Sequence, residues 1–242
     1  MSNLFNEYFT DIGPTLSSQI PETNVSFETY MNFSAQKEFN FSDIHIQEVL
    51  NEISKLNTSK SVGPDNIPAK LVKDSKDVVT PFLTLIFNAS VSNGIFPDDF
   101  KIARVSPIHK SGNKEERGNY RPISILSIIA KLFEKLACSQ LNIFLTKNNI
   151  LSPCQSGFRK GHSITTALLE NTDSWLLNMD AGLINGVLFL DLCKAFDTVD
   201  QKILIKKLFT YGIRNKSLDW FKSYCTIENN SAWSIMQHRA QR

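Results

Sequence analysis

Apolar positions recur at helical spacing along much of the chain. Behind a Ser42-Asp43 start signal, Ile46, Val49, Leu50, Ile53 and Leu56 fall three or four residues apart, which predicts a helix. Gly63-Pro64-Asp65 then predicts a sharp turn. A second helix is predicted from about Val78 to Ser92, with Phe82, Leu85, Ile86 and Ala89 on its apolar face and Asn93-Gly94 as its stop. The strongest stripe is Ile125, Ile128, Ile129, Leu132, Phe133 and Leu136, continuing through Leu141, Phe144 and Leu145. Ile164 to Met179 reads as a further amphipathic helix. Another runs from about Asp200 and stops at Gly212, and Leu218, Phe221 and Tyr224 predict a last short one.

Strand signals are fewer. Arg104 to His109 predicts a short strand, confined by Pro107 to a sheet edge or a strand end. Gly186 to Leu192 is a continuous apolar run, the pattern of a strand buried on both faces. Residues 1–40 are polar and aromatic without a sustained period, contain Gly13-Pro14 and Pro21, and read as a linker or arm. After Tyr224 no period is visible. The fold class that follows is mixed α/β, of the α+β kind, with few strands for its length and no solenoid repeat.

Composition narrows the class. The 242 residues are 42% hydrophobic and 21% charged, enough apolar material for one large domain or two small ones. The opening MSNLFNEYFTDIG has neither a basic nor an apolar leader segment, and runs such as Ile123 to Ala130 are too short to span a bilayer. A soluble intracellular protein, nuclear or cytoplasmic and not secreted, is expected, with no membrane partner. Cysteines 138, 154, 193 and 225 and histidines 45, 109, 162 and 238 show no metal-ligand or redox spacing. Free thiols packed as small hydrophobes are expected.

The net charge of +2 conceals an uneven distribution. Residues 1–100 carry a net −7, residues 101–161 a net +8 and residues 162–242 a net +1. Such a basic block suits either a phosphate-rich partner or a solvated surface that binds nothing.

Chemistry concentrates where the apolar run from Val187 meets Asp191. An ionised carboxylate at the end of a buried strand needs a partner or a cation. Mg²⁺ takes one or two protein carboxylates together with phosphate oxygens, so Asp191 is a candidate ligand. A cap for the next helix, or a pair with Lys194, is the alternative.

The stretch Phe189-Leu-Asp191-Leu-Cys-Lys-Ala-Phe196-Asp197 resembles the first palm motif of reverse transcriptases from non-LTR (LINE-type, jockey-like) retrotransposons. Six further blocks resemble the same family in the same order. Lys60-Ser-Val-Gly63-Pro64-Asp65-Asn-Ile67-Pro68 is similar to its "kS.GpD.iP" opening. Arg104-Val-Ser-Pro107-Ile108-His-Lys110 is similar to "VxPIxK", and Asn119-Tyr120-Arg121-Pro122-Ile123-Ser124 to "nYRPIS". Lys131-Leu-Phe-Glu134-Lys135, Gln155-Ser-Gly157-Phe158-Arg159-Lys-Gly161-His162-Ser163 and Trp220-Phe-Lys-Ser-Tyr224 resemble "K.fEk", "QsGFRkghS" and "WfksYL". Phe5-Asn-Glu-Tyr-Phe9 resembles the arm that precedes the polymerase, so the likeness spans about residues 1–224.

This resemblance implies helix-rich fingers and an incomplete palm of a right-hand polymerase. It divides the chain into an arm (1–40), a fingers-like region (41–180), the first part of the palm (181–224) and a divergent tail (225–242). It implies that Asp191 holds the catalytic divalent ions, with the Leu192 carbonyl as a second ligand, and that Phe196 is the steric gate against a 2′-hydroxyl. Lys110 and Arg121 would contact the incoming triphosphate, and Gln155, Gly157, Phe158 and Arg159 the template. The implied cofactor is Mg²⁺, with Mn²⁺ as the alternative. The implied partners are an RNA template, a DNA primer and deoxynucleoside triphosphates.

Two-metal chemistry needs further carboxylates. The family carries them in a later "xADD" motif, behind a "GxPQGsxLSP" block, and neither occurs after Asp191 here. The expectation is a reverse transcriptase fragment cut before that motif and inactive as an isolated chain. A non-catalytic nucleic-acid-binding remnant of a mobile element, or an inert product of a dead one, are the rival expectations.

Overall fold

A computed structural model describes residues 2–21, 25–31 and 36–226. Among them are nine α-helices and one antiparallel hairpin, a helix-rich α+β arrangement. The helices are α1 (Ser2–Ser18), α2 (Ile46–Ser54), α3 (Ala69–Asp74), α4 (Lys76–Asn93), α5 (Asp98–Lys101), α6 (Ile128–Lys147), α7 (Ile164–Asp180), α8 (Gln201–Thr210) and α9 (Asn215–Cys225). The strands are β1 (Ala103–His109) and β2 (Tyr120–Leu126), paired with Ile108 opposite Arg121 and Val105 opposite Ser124.

Local chemistry sets most helix ends. The Glu48 side chain reaches back to the His45 N–H at the start of α2. Gly94 closes α4 in the left-handed region, where a side chain would be strained. Ser127 Oγ accepts from the Ala130 N–H and starts α6 there, so Ile125, the first member of the predicted stripe, belongs to β2 instead. Asp200 accepts from the Lys202 and Ile203 N–H groups and starts α8.

The main core lies between α2, α4, α6 and α9. Phe87 of α4 stacks on Phe133 of α6 at 4.5 Å, and Phe96 and Trp220 close the aromatic cluster around them. The Trp220 indole N–H donates to Ser90 Oγ at 3.0 Å, so its polar edge is satisfied inside the core. Asn88 pairs with both the N–H and the C=O of Ile44, which fixes the segment entering α2.

Several expectations are corrected. The predicted apolar face of α4 is the wrong one: Phe82, Leu85 and Ile86 are exposed, while Leu83, Phe87 and Val91 are buried. The helix is apolar around most of its circumference, and the aromatic partners on α6 decide which side turns inward. Residues 2–18 form a helix rather than a linker. Phe5 and Phe9 pack against Val105 beside Tyr120, and this burial outweighs the single hydrogen bond that Pro14 removes. β2 has no clear alternation in its sequence because Arg121 and Pro122 interrupt it, and pairing with β1 creates it.

The predicted buried strand at Gly186–Leu192 does not form. Leu188, Phe189 and Leu190 are 82%, 85% and 81% exposed, and the segment pairs with no strand among the described residues. An apolar run becomes a buried strand only where a neighbouring edge accepts its ladder, and the one two-stranded sheet among the described residues is formed by β1 and β2. The cysteines are free as expected, but Cys138, Cys154 and Cys193 are exposed rather than packed. The period-free tail at 225–242 lies largely outside the described residues.

Candidate active site

Three elements carry the sequence-predicted site residues: the β1–β2 hairpin, the loop at 151–163 and the loop from Asp191 to Asp200. In the hairpin, paired side chains share a face and successive ones alternate. Ala103 and Val105 are both buried, and Val105 packs against Phe5 and Phe9 of α1. Ile108 stands opposite Arg121 on the other face. The Lys110 N–H donates to the Asn119 carbonyl at 2.7 Å and extends the same register beyond β1. Lys110 and Arg121 therefore lie on one open face, beside the exposed Ile108 and Ile123. Arg104, on that same face, is held back by its guanidinium donating to the Val62 carbonyl at 2.7 Å.

That carbonyl immediately precedes the Gly63-Pro64-Asp65 turn. A Cβ on Gly63 would stand 2.6 Å from Ser127 Cα and 2.8 Å from the Leu126 carbonyl oxygen. Glycine there lets the turn seat against the junction of β2 and α6. The block at 60–68 thus anchors the hairpin to the core through Arg104 and the Leu126–Ser127 backbone.

Asp191 and Leu192 are exposed and irregular in backbone, and Asp191 makes no ion pair among the described residues. The following turn closes with the Asp197 N–H donating to the Lys194 carbonyl at 2.9 Å. Lys194 itself sits at φ 50°, a strained value for a long side chain. Asp200 is engaged as the α8 cap. Asp191 therefore offers one free carboxylate with the Leu192 carbonyl beside it. Among the described residues no three His, Cys, Asp or Glu side chains gather as a metal cluster. This donor set fits Mg²⁺ only in part: hard oxygens are present, and the remaining positions need phosphate oxygens, water or other carboxylates.

In the predicted template block Gln155, Gly157 and Phe158 are exposed and Arg159 is half-buried. Phe158 adopts φ 60°, a second strained position. Gln155 Nε2 donates to the Gly157 carbonyl, and Arg159 donates to the Ser152 and Gln155 carbonyls at 2.9 and 3.2 Å, so the loop is held by its own side chains. Around Gly157 a Cβ would meet nothing within 4 Å. Phe158 reaches Phe196 edge to face at 5.9 Å. The structure thus joins Phe158 to Phe196, and Lys110 to Arg121. Of this block, Phe158 and Arg159, with Lys160 beside them and Lys147 on α6, line a cavity of about 890 Å³.

Two residues escaped the sequence reading. Tyr8 lies under two cations, with Arg117 Cζ 5.8 Å and Lys194 Nζ 5.6 Å from its ring centre. Gly13 backs onto the Asp191–Asp200 loop, where a Cβ would stand 2.4 Å from the Asp197 carbonyl oxygen. Their signal was the spacing of Phe5, Phe9 and Gly13 by four, hidden by Gly13-Pro14 read as a break.

Comparison with known proteins accords with the family that the motifs resemble. The family model described as reverse transcriptase (RNA-dependent DNA polymerase) matches residues 108–241. The chain is 34% identical over 236 residues to a probable RNA-directed DNA polymerase from transposon BS of Drosophila melanogaster. That match covers 95% of this chain and 26% of the relative. It is 32% identical over 182 residues to the corresponding protein of transposon X-element, covering 75% of this chain and 20% of the relative. To the RNA-directed DNA polymerase of mobile element jockey, from the same organism, it is 31% identical over 181 residues, covering 74% of this chain and 20% of the relative. The chain spans about a quarter or less of the length of these relatives.

Proposed function

Because the chain belongs to the reverse transcriptase (RNA-dependent DNA polymerase) family, we propose that it supplies the nucleotide- and template-binding part of an RNA-directed DNA polymerase. The observation that carries this reading is the hairpin register, with Lys110 and Arg121 on one open face. Two cations on a rigid hairpin suit a triphosphate, and the Arg fork can hold two phosphate oxygens at once.

The division of labour follows the motifs. Residues 41–180 act as fingers and 181–224 as the first part of the palm, with 1–40 as the preceding arm and 225–242 as a tail. Asp191 and the Leu192 carbonyl hold a divalent ion, for which Mg²⁺ is proposed and Mn²⁺ is the alternative. When bound, such an ion neutralises phosphate charge and helps to orient the triphosphate. Phe196 lies under the incoming sugar and excludes a 2′-hydroxyl by bulk. Gln155, Gly157, Phe158 and Arg159 line the template side, where an open glycine lets a strand approach the backbone. The partners are an RNA template, a DNA primer and deoxynucleoside triphosphates, and the net +8 of residues 101–161 supports a phosphate-rich ligand. No helix of the described residues is long and apolar enough to cross a membrane, and an intracellular site of action is proposed.

These 242 residues contain no adjacent aspartate pair after Asp191, so the isolated chain is expected to bind primed RNA without extending it. The test is primer extension and binding by the purified chain with Mg²⁺ and four deoxynucleotides, beside Asp191→Ala. Binding without extension is the expected result. Extension abolished by Asp191→Ala would overturn the expected inactivity. Failure to bind primed RNA would overturn the functional reading.

A further inference from the structure

We infer that α1 is a brace for the Asp191–Asp200 loop and that Gly13 and Tyr8 are its positioning residues, a proposal that rests on the polymerase reading only for its functional consequence. The loop needs such a brace because no sheet ladder holds it. The segment leading into Asp191 is unpaired and exposed among the described residues.

One face of α1 supplies the support. Phe5, Phe9 and Gly13 lie four residues apart and are all buried. The first two clamp the hairpin through Val105 and Tyr120. The third meets the loop backbone, where a Cβ would stand 2.4 Å from the Asp197 carbonyl oxygen. A methyl group there forces backbone apart, since no side chain is available to swing away. Tyr8 adds a second tie. Its ring lies 5.8 Å from Arg117 Cζ in the hairpin loop and 5.6 Å from Lys194 Nζ in the Asp191–Asp200 loop. α1 is thereby in contact with the element carrying Lys110 and Arg121 and with the element carrying Asp191 and Phe196. Moving the Asp197 carbonyl moves Phe196, its immediate neighbour, and with it the ring contact to Phe158.

The proposal is tested by amide hydrogen exchange on the full chain. In Gly13→Ala, exchange at 193–199, read at the Asp197 amide that is hydrogen-bonded to the Lys194 carbonyl, should be about tenfold faster while amides 6–10, bonded within α1, keep their protection. Tyr8→Leu should also speed exchange at 193–199, and Tyr8→Phe, which keeps the ring, should not. Unchanged exchange at 193–199 in Gly13→Ala would overturn the proposal. Should Gly13→Ala loosen α1 and the loop together, the Tyr8 pair decides: faster exchange in Tyr8→Leu alone supports the brace, and equal rates in the two variants overturn it. Exchange requires neither nucleotide nor turnover, so the brace can fail while primed-RNA binding persists. Equally, RNA binding can fail while the exchange result stands.

Discussion

Phe158 and Phe196 meet edge to face, with ring centres 5.9 Å apart and planes at 89°. They come from two separate sequence blocks, yet both rings stand in the open, 90% and 78% exposed. Core burial therefore does not explain the contact. A bulky ring held upright beside the 151–163 loop matches the proposed part of Phe196 in selecting a sugar. Phe196→Ala should change the melting temperature by less than about 4 °C, because an exposed ring pair contributes little. It should also narrow the preference for deoxynucleotides over ribonucleotides in competition binding. Unchanged sugar preference would remove Phe196 from that part.

The open hairpin face gives a prediction in salt. If the face carrying Lys110 and Arg121 meets RNA phosphates, as the alternative reading of a non-catalytic nucleic-acid-binding remnant requires, Lys110→Ala and Arg121→Ala should each weaken RNA binding. Each should also lower the slope of log affinity against log salt by about 1. Asp191→Ala should leave the slope unchanged. A titration series across ionic strength reads all three, and an unaltered slope in both cation variants would exclude contact of this face with RNA phosphates and leave it to the triphosphate.

Gly63 tests how the hairpin is anchored. Its missing Cβ would lie 2.6 Å from Ser127 Cα, backbone that cannot yield cheaply. Gly63→Ala should destabilise the protein by about 1–3 kcal/mol in urea unfolding. Gly186→Ala, where a Cβ meets nothing within 4 Å, should stay within about 0.5 kcal/mol. Equal effects from the two would contradict the packing described.

The Glu134–Tyr224 pair predicts a pH dependence. The Tyr224 hydroxyl donates to Glu134 Oε1 at 2.9 Å. Burial and the adjacent carboxylate hold the phenol well above its ordinary range, so it remains a donor. Burial also raises the Glu134 carboxyl above its usual value near 4.5, with the Tyr224 hydrogen bond and Lys131 opposing. The folded state thus binds this proton more tightly than the unfolded chain. The resulting stability is present below the unfolded carboxyl value and is lost as pH rises through the raised folded value. Glu134→Gln cannot titrate, so relative to the wild type it should be more stable at about pH 7 than at about pH 4. Urea unfolding of both proteins at the two pH values checks the sign, and the opposite trend would refute it.

Within one segment, the residues themselves carried the answer. The helices at 46–54, 76–93, 128–147, 164–180, 201–210 and 215–225 were legible in outline because turns, caps and periods of three to four are neighbours in the chain. Asp200 is an example: its carboxylate bonds N–H groups only two and three residues away. The motif order was also legible, and the family match at 108–241 agrees with it. Where a segment offered two answers, its own residues could not choose between them. α4 has apolar residues on two faces, and only the stack of Phe87 on Phe133 turns one of them inward.

The candidate site divides along the same line. By itself the sequence determined which residue types could bind phosphate, metal and template, since those are properties of single side chains in short motifs. Only the tertiary structure decided that Lys110 and Arg121 share a face, because a register between strands is a relation between distant segments. It alone decided that the apolar run before Asp191 stays unpaired among the described residues, because a strand exists only through the hydrogen bonds of its neighbour. It alone turned Gly13 from an apparent break into the closest approach of α1 to the Asp197 backbone, because what a glycine makes room for lies across space and not along the chain.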